Sequence, residues 1–146
     1  MLTKDGPKVL EYNCRFGDPE TQVILPLLQT DLYEVMQACI TGKLHEINLQ
    51  WDTSYCATIV CAAPGYPEAY PKGLPIHGLE QISDGIVFHA GTKITDGQVV
   101  TNGGRVIAMT TKSETLPIAL DQAYTCLEKI QFDRMQYRTD IGDIYD

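Results

Sequence analysis

Residues 55–63 read Tyr-Cys-Ala-Thr-Ile-Val-Cys-Ala-Ala, nine positions with no charge and with β-branched side chains at their centre. A run this short cannot span a bilayer as a helix. It has the grammar of a strand covered on both faces. The downstream residues fit a small antiparallel unit. Residues 86–90 form a second strand, Asp96-Gly97 marks a tight hairpin into residues 98–101, and Asn102-Gly-Gly104 reverses the chain into a strand over 105–111. Ser113 then precedes Leu116, Ala119, Leu120, Ala123, Leu127 and Ile130, the pattern of a capped amphipathic helix. The tail over 137–142 has no regular period.

The first 45 residues read differently. Residues 1–16 predict a β-hairpin with Lys4-Asp-Gly-Pro7 as its turn. In its second arm, residues 8–16, Leu10, Tyr12, Cys14 and Phe16 fall on one face, and Glu11, Asn13 and Arg15 on the other. Gly17-Asp-Pro-Glu20 predicts a helix start, with Asp18 as N-cap and Pro19 at the first helical position. Pro26 should end or kink that helix. Asp31 should cap a second one, Glu34 reaching back to it. Leu32, Val35, Met36, Cys39 and Ile40 supply its apolar stripe, and Gly42 its stop. A boundary is expected near residues 44–52, and the fold class is α+β.

Composition narrows the function classes. With 44% apolar and 21% charged residues the chain can bury a core. Nineteen acidic against eleven basic side chains give a net charge of −8, which disfavours nucleic acid and anionic membranes as partners. No stretch has the length of a membrane span. Cys14, Cys39, Cys56, Cys61 and Cys126 form no Cys-x-x-Cys pair, so buried free thiols in a reducing cytosol are expected. His45, His77 and His89 are scattered and read as structural or surface residues.

The chemistry concentrates in Glu11-Tyr-Asn-Cys-Arg-Phe-Gly-Asp-Pro-Glu20. Glu11 and Asn13, two positions apart on one strand face, offer hard oxygen donors to a Mg²⁺ ion, whose other ligands would be water and nucleotide phosphates. Arg15 adds a guanidinium fork suited to phosphate or carboxylate. Oxygen ligands beside a cation suit transfer of a γ-phosphoryl group onto an acid. The plainer reading is a solvated hairpin face with a weak Glu11–Arg15 ion pair. Against it stand the poor β-propensity of Asn13 and the adjoining helix start, where free N–H groups can meet an anion.

The longer string, residues 10–22, resembles the signature of the phosphoribosylamine–glycine ligase family of ATP-grasp enzymes. Further matches run in the family's order: Ile24-Leu-Pro-Leu-Leu28, Thr30-Asp-Leu32, Gly65-Tyr-Pro67, Phe88-His-Ala-Gly-Thr92, Gly103-Gly-Arg-Val106 and Tyr137-Arg-Thr-Asp-Ile-Gly142. The resemblance implies residues 1–45 as the end of an ATP-grasp domain, a hairpin plus helices. It implies residues 46–146 as a small antiparallel C-terminal α+β domain of hybrid-motif type. It implies an enzyme of the cytoplasm that joins glycine to 5-phosphoribosylamine with ATP, through a glycyl phosphate. Glu11 and Asn13 would then be Mg²⁺ or Mn²⁺ ligands, Arg15 a catalytic residue in the substrate and phosphate pocket, and Gly17 and Asp18 its neighbours. The family's upstream parts, including its nucleotide loop, would lie before Met1. The chain is thus expected to be a fragment, inactive alone, whose partners are the upstream ligase domains. A non-catalytic α+β interaction module is the alternative. A metal-dependent hydrolase using Glu11 as base lacks a second carboxylate or histidine at short spacing.

Overall fold

The computed structural model describes residues 1–12 and 14–143. Lys4-Asp5 closes the first reversal, and Gly6 adopts the left-handed φ of +92°. Strands β1 (Leu2–Thr3) and β2 (Gly6–Pro7) pair antiparallel around it, with Leu2 opposite Pro7. Met1 N donates to Lys8 O at 2.7 Å and Lys8 N to Met1 O at 2.8 Å, and there the ladder ends.

The strand expected over 8–16 does not form among the described residues: Leu10 is 73% and Tyr12 83% exposed. Alternation places apolar side chains on one face, but a strand also needs a ladder partner and a covering layer. A bare hairpin supplies neither.

Helix α1 (Thr21–Ile24) is one turn long and passes into a 3-10 turn over Leu25–Leu27, where Pro26 stops the α-helical ladder as expected. Asp18 and Pro19 stand before this helix rather than as its cap and first residue. The N-cap is Glu20, which makes no side-chain cap bond. The Asp18 carboxylate pairs with Arg105 instead. Helix α2 (Leu32–Ile40) starts where the sequence places it, with Asp31 Oδ1 accepting from Tyr33 N at 2.8 Å. It ends in a Schellman arrangement: Gly42 takes φ +71°, Gly42 N donates to Cys39 O, and Lys43 N donates to Ala38 O. Its apolar stripe is only partly covered; Ala38 is buried, while Met36, Cys39 and Ile40 are exposed. Residues 27–29 are tied to 50–52 through Gln29 N to Gln50 O (2.9 Å) and Asp52 N to Leu27 O (2.7 Å).

The remaining strands are β3 (Tyr55–Ala62), β4 (Ile86–His89), β5 (Thr92–Thr95), β6 (Gln98–Thr101) and β7 (Arg105–Ser113). β3, β7 and β4 form an antiparallel sheet in that order, and β5–β6 a separate hairpin. At the β5–β6 turn, Asp96 and Gly97 both take positive φ (50° and 79°), the primed-turn geometry that matches strand twist.

The strand covered on both faces is β7, not β3. Val106–Thr111 of β7 are all buried because it is the central strand. β3 is an edge, with Ala57, Ile59 and Cys61 buried and the intervening Thr58 and Val60 half-buried. Helix α3 (Leu116–Leu127) is capped by Thr115, whose Oγ1 accepts from Ile118 N at 3.4 Å. Ser113, the expected cap, is held in β7 opposite Tyr55. Ala123, Cys126 and Leu127 of α3 pack with Ile59, Cys61, Val106, Ile107, Met109, Ile130 and Phe132 in one core. The architecture is α+β with small antiparallel sheets, as expected.

The thiols divide. Cys61 and Cys126 are buried, and burial pushes the Cys61 thiol up to about 12. Cys56 is half-buried, and Cys14 and Cys39 are exposed, unlike the buried thiols expected, because the segments that carry them are uncovered. No helix among the described residues is long and apolar enough to cross a membrane.

Two long-range contacts fix the segment around α1 to the sheet, and both come from β7. Lys112 Nζ donates to Pro26 O at 3.0 Å and to Asp52 Oδ2 at 2.8 Å. Lys112 and the Ser54 backbone and hydroxyl hold the Asp52 carboxyl well below the usual carboxylate range. A depressed folded-state pKa contributes stability above the unfolded value of 3.8 that is lost as pH falls through the folded one. Removing the partner with Lys112→Met should therefore flatten the acid side of the stability profile. Urea midpoints of the variant and parent should differ most at neutral pH and draw closer progressively as pH falls from about 4 to below 2. A constant difference across that range would reject the assignment.

Candidate functional site

The second contact from β7 shapes a cleft. Arg105 opens that strand, and its guanidinium reaches Asp18 with two arms: Nη2 to the carboxylate Oδ2 at 2.8 Å, and Nη1 to the backbone carbonyl at 3.1 Å. Asp18 Oδ1 in turn accepts from Gln22 Nε2 at 3.3 Å. That bond orients the Gln22 amide and leaves its Oε1 buried without a hydrogen-bond partner among the described residues. Gly17 O accepts from Thr21 N at 3.1 Å and also from the Thr21 hydroxyl. The turn between residues 17 and 21 is thus held from its own helix and from the sheet.

Arg15, Gly17, Asp18, Thr21, Phe88 and His89 line a cleft of about 360 Å³ beside this turn. The structure therefore brings together Arg15, Gly17 and Asp18, three of the five site residues expected from sequence. Arg15 is exposed, and its Nη1 donates to Phe16 O at 2.9 Å. Its charge has no carboxylate partner among the described ion pairs, in particular not Glu11. Asp18 is neutralised by Arg105, so the guanidinium of Arg15 is the cation that this cleft offers to an anion. Glu11 is exposed and does not line the cleft. Asn13 lies outside the described residues.

Among the described residues no group of three or more His, Cys, Asp or Glu side chains is placed to hold a metal ion. The Glu11 carboxylate could at most offer a single hard-oxygen ligand. That suits an ion such as Mg²⁺, which takes one or two carboxylates and leaves the rest of its octahedron to water and substrate phosphates. It does not make a self-contained protein cage.

The cleft's far side, Phe88 and His89, was not among the expected site residues. His89, read as structural or surface, stands at the cleft with Nδ1 at 3.1 Å from Thr92 Oγ1. Phe88 precedes it on β4. The available signal was their place in the Phe88-His-Ala-Gly-Thr92 string, which carries no chemistry until β4 is laid beside residue 17. Arg138 and Asp140, by contrast, form an ion pair at 2.8 and 2.6 Å.

The sequence pattern of the C domain of phosphoribosylglycinamide synthetase matches residues 56–144, more than half of the chain. The chain belongs to the phosphoribosylglycinamide synthetase family. The pattern of that synthetase's ATP-grasp (A) domain matches residues 1–21, the segment that carries Glu11, Arg15, Gly17 and Asp18. Among relatives in this family, phosphoribosylamine–glycine ligase of Caldanaerobacter subterraneus is 48% identical over 99% of this chain and 35% of its own length. The trifunctional purine biosynthetic protein adenosine-3 of Gallus gallus is 57% identical over 97% of this chain and 14% of its own. The crystal structure of phosphoribosylamine–glycine ligase from Thermotoga maritima superposes with a TM-score of 0.80 at 37% identity, over 96% of this chain and 34% of that one. The chain thus spans about a third of the length of these synthetase-family ligases and less of the trifunctional relative.

Proposed function

We propose that this chain serves as the C-terminal portion of a phosphoribosylamine–glycine ligase, an ATP-dependent carbon–nitrogen ligase of purine biosynthesis acting in the cytoplasm. In this reading residues 1–45 complete an ATP-grasp domain and residues 46–146 form the small C-terminal domain. The observation that carries it is the cleft itself. The segment matching the ATP-grasp pattern and the β4 strand of the C domain meet there, around the Arg15 guanidinium, which has no carboxylate partner among the described residues.

The overall reaction joins two steps. A glycine carboxylate oxygen bonds to the γ-phosphorus of ATP, and ADP leaves. The 5-phosphoribosylamine nitrogen then bonds to the resulting acyl carbon and gives up a proton to solvent as inorganic phosphate leaves, giving glycinamide ribonucleotide. Each step concentrates negative charge on phosphoryl oxygens, so fixed cations positioned before the reaction are what the protein must supply. Arg15 fits that task as a two-armed donor to a phosphate or carboxylate. Gly17 and Asp18 form the wall against which the bound group rests. Glu11, with Asn13, provides oxygen ligands for a Mg²⁺ or Mn²⁺ ion, which when bound would offset charge on the nucleotide phosphates.

The test joins residues 1–146 to the upstream part of the Caldanaerobacter ligase, in place of that enzyme's own matching segment. Glycine- and phosphoribosylamine-dependent ADP formation should appear in the joined protein, within about tenfold of the parent ligase, and be absent from the 146-residue chain alone. A folded joined protein without that activity, or activity in the chain alone, would overturn the proposal.

A further inference from the structure

We infer that Arg105 is a positioning residue: from the small sheet it fixes the turn at Gly17 and Asp18, and so sets where Arg15 presents its charge in the cleft. This rests on the reading of that cleft as the ligase's anion site, although the physical claim about Arg105 stands separately.

Four observations carry it. The contact joins residues 87 apart in sequence and is forked. One arm takes the Asp18 carboxylate and the other its backbone carbonyl, so the main chain is held as well as a side chain. Holding main chain is what distinguishes it from an ordinary surface ion pair, which constrains two flexible side chains and little else. The base of Arg105 is itself fixed: its carbonyl accepts from Gly91 N at 2.9 Å, and the residue pairs with Ala62 at the end of β3.

The chain commits glycines to that fixation. A Cβ on Gly103 would come within 2.9 Å of Gly91 Cα, and one on Gly104 within 2.2 Å of the Tyr66 ring. The reversal before Arg105 therefore packs at a distance that larger residues would prevent. Finally, residues 8–12 and 14–17 contain no helix or strand, and the hydrogen bond that Arg15 makes is to its own neighbour. The order of Arg15 must come from the turn on its C-terminal side. Asp18 passes the constraint on to Gln22 as well, so one guanidinium organises both the loop and the first turn of α1.

The Arg15–Phe16 peptide bond is a trypsin site, and its cleavage in the 146-residue chain reports how firmly this loop is held. Arg105→Met should raise the initial rate of cleavage after Arg15 by about tenfold and leave cleavage after the exposed Lys72 unchanged. Asp18→Asn should give a similar rise, and the double variant should add little to either. An unchanged rate after Arg15, or an equal rise after Lys72 (general loosening), would overturn the inference. In the joined ligase, Arg105→Met should raise KM for 5-phosphoribosylamine about tenfold with kcat within about threefold, and Arg105→Lys should recover part of the loss. A fall in kcat alone would overturn it too. If the unmodified joined ligase is inactive, the functional reading fails while the proteolysis still decides Arg105.

Discussion

Gly78→Ala should destabilise the chain by about 3 kcal/mol or more, whereas Gly97→Ala should cost about 1 kcal/mol, although both glycines occupy the left-handed region. Gly78 takes φ +84° and Gly97 φ +79°, so the conformational penalty of a side chain is nearly the same at each. The space around them differs. A Cβ on Gly97 meets nothing within 4 Å, while one on Gly78 would lie 1.8 Å from Lys129 O and 2.8 Å from the carbon that bears it.

The obstacle is main chain and cannot swing aside. His77 N donates to Gln131 O at 2.9 Å and Gln131 N donates to His77 O at 3.0 Å, which clamps the two backbones together beside the fully buried Ile130. Admitting a methyl group at residue 78 means parting that clamp, giving up about 1 kcal/mol for each hydrogen bond and loosening the packing of Ile130. Urea denaturation of the two variants and the parent at neutral pH gives the comparison. Equal midpoints for the two variants would show that the approach of residue 78 to residue 129 is not a constraint on the fold.

The same contrast between local and distant causes explains what could be read from sequence. The hairpin at Asp96-Gly97 and the start and stop of α2 at Asp31 and Gly42 were legible because each is decided within about four residues, by φ preferences and by capping side chains. The α+β class came from the order of such signals. Strand formation over residues 8–16 was not decidable in this way. Its alternation states where apolar groups would point if a partner existed, and here the ladder stops at Lys8. The covered strand was misplaced for a related reason. β3 and β7 have similar apolar character, and which becomes central depends on the pairing of β4 with β7.

At the site, the residue types at 11, 13, 15, 17 and 18 suggested anion and metal chemistry, but the second side of the cleft had no local signature. Phe88 and His89 enter it because α1 packs on the sheet, where Arg105 and Lys112 bind residues 87 and 86 positions away. Surface cations leave no periodicity from which such partners could be deduced.

In the joined ligase, Glu11→Gln should lower turnover by about 100-fold or more, the larger effect of any single change expected in the first 20 residues. The substitution keeps size and shape but removes the negative charge and turns one acceptor oxygen into an NH2 donor, so its consequences report the demand for an anionic oxygen ligand. Glu11 is exposed and makes no ion pair among the described residues, which means that no structural contact is lost with the charge. Folding should therefore be unaffected, and the stability of the variant in urea should stay within about 0.5 kcal/mol of the parent. Metal dependence separates this role from a general electrostatic one. If Glu11 is a ligand, the Mn²⁺ concentration for half-saturation in the presence of ATP, read from the paramagnetic signal of free Mn²⁺ without any turnover, should rise by about tenfold or more. Arg15→Met should leave that titration unchanged while raising KM, because its guanidinium binds anions and not the ion. Identical Mn²⁺ titrations for Glu11→Gln and the parent would remove Glu11 from the metal site even if turnover fell, leaving its carboxylate with a role in substrate binding only.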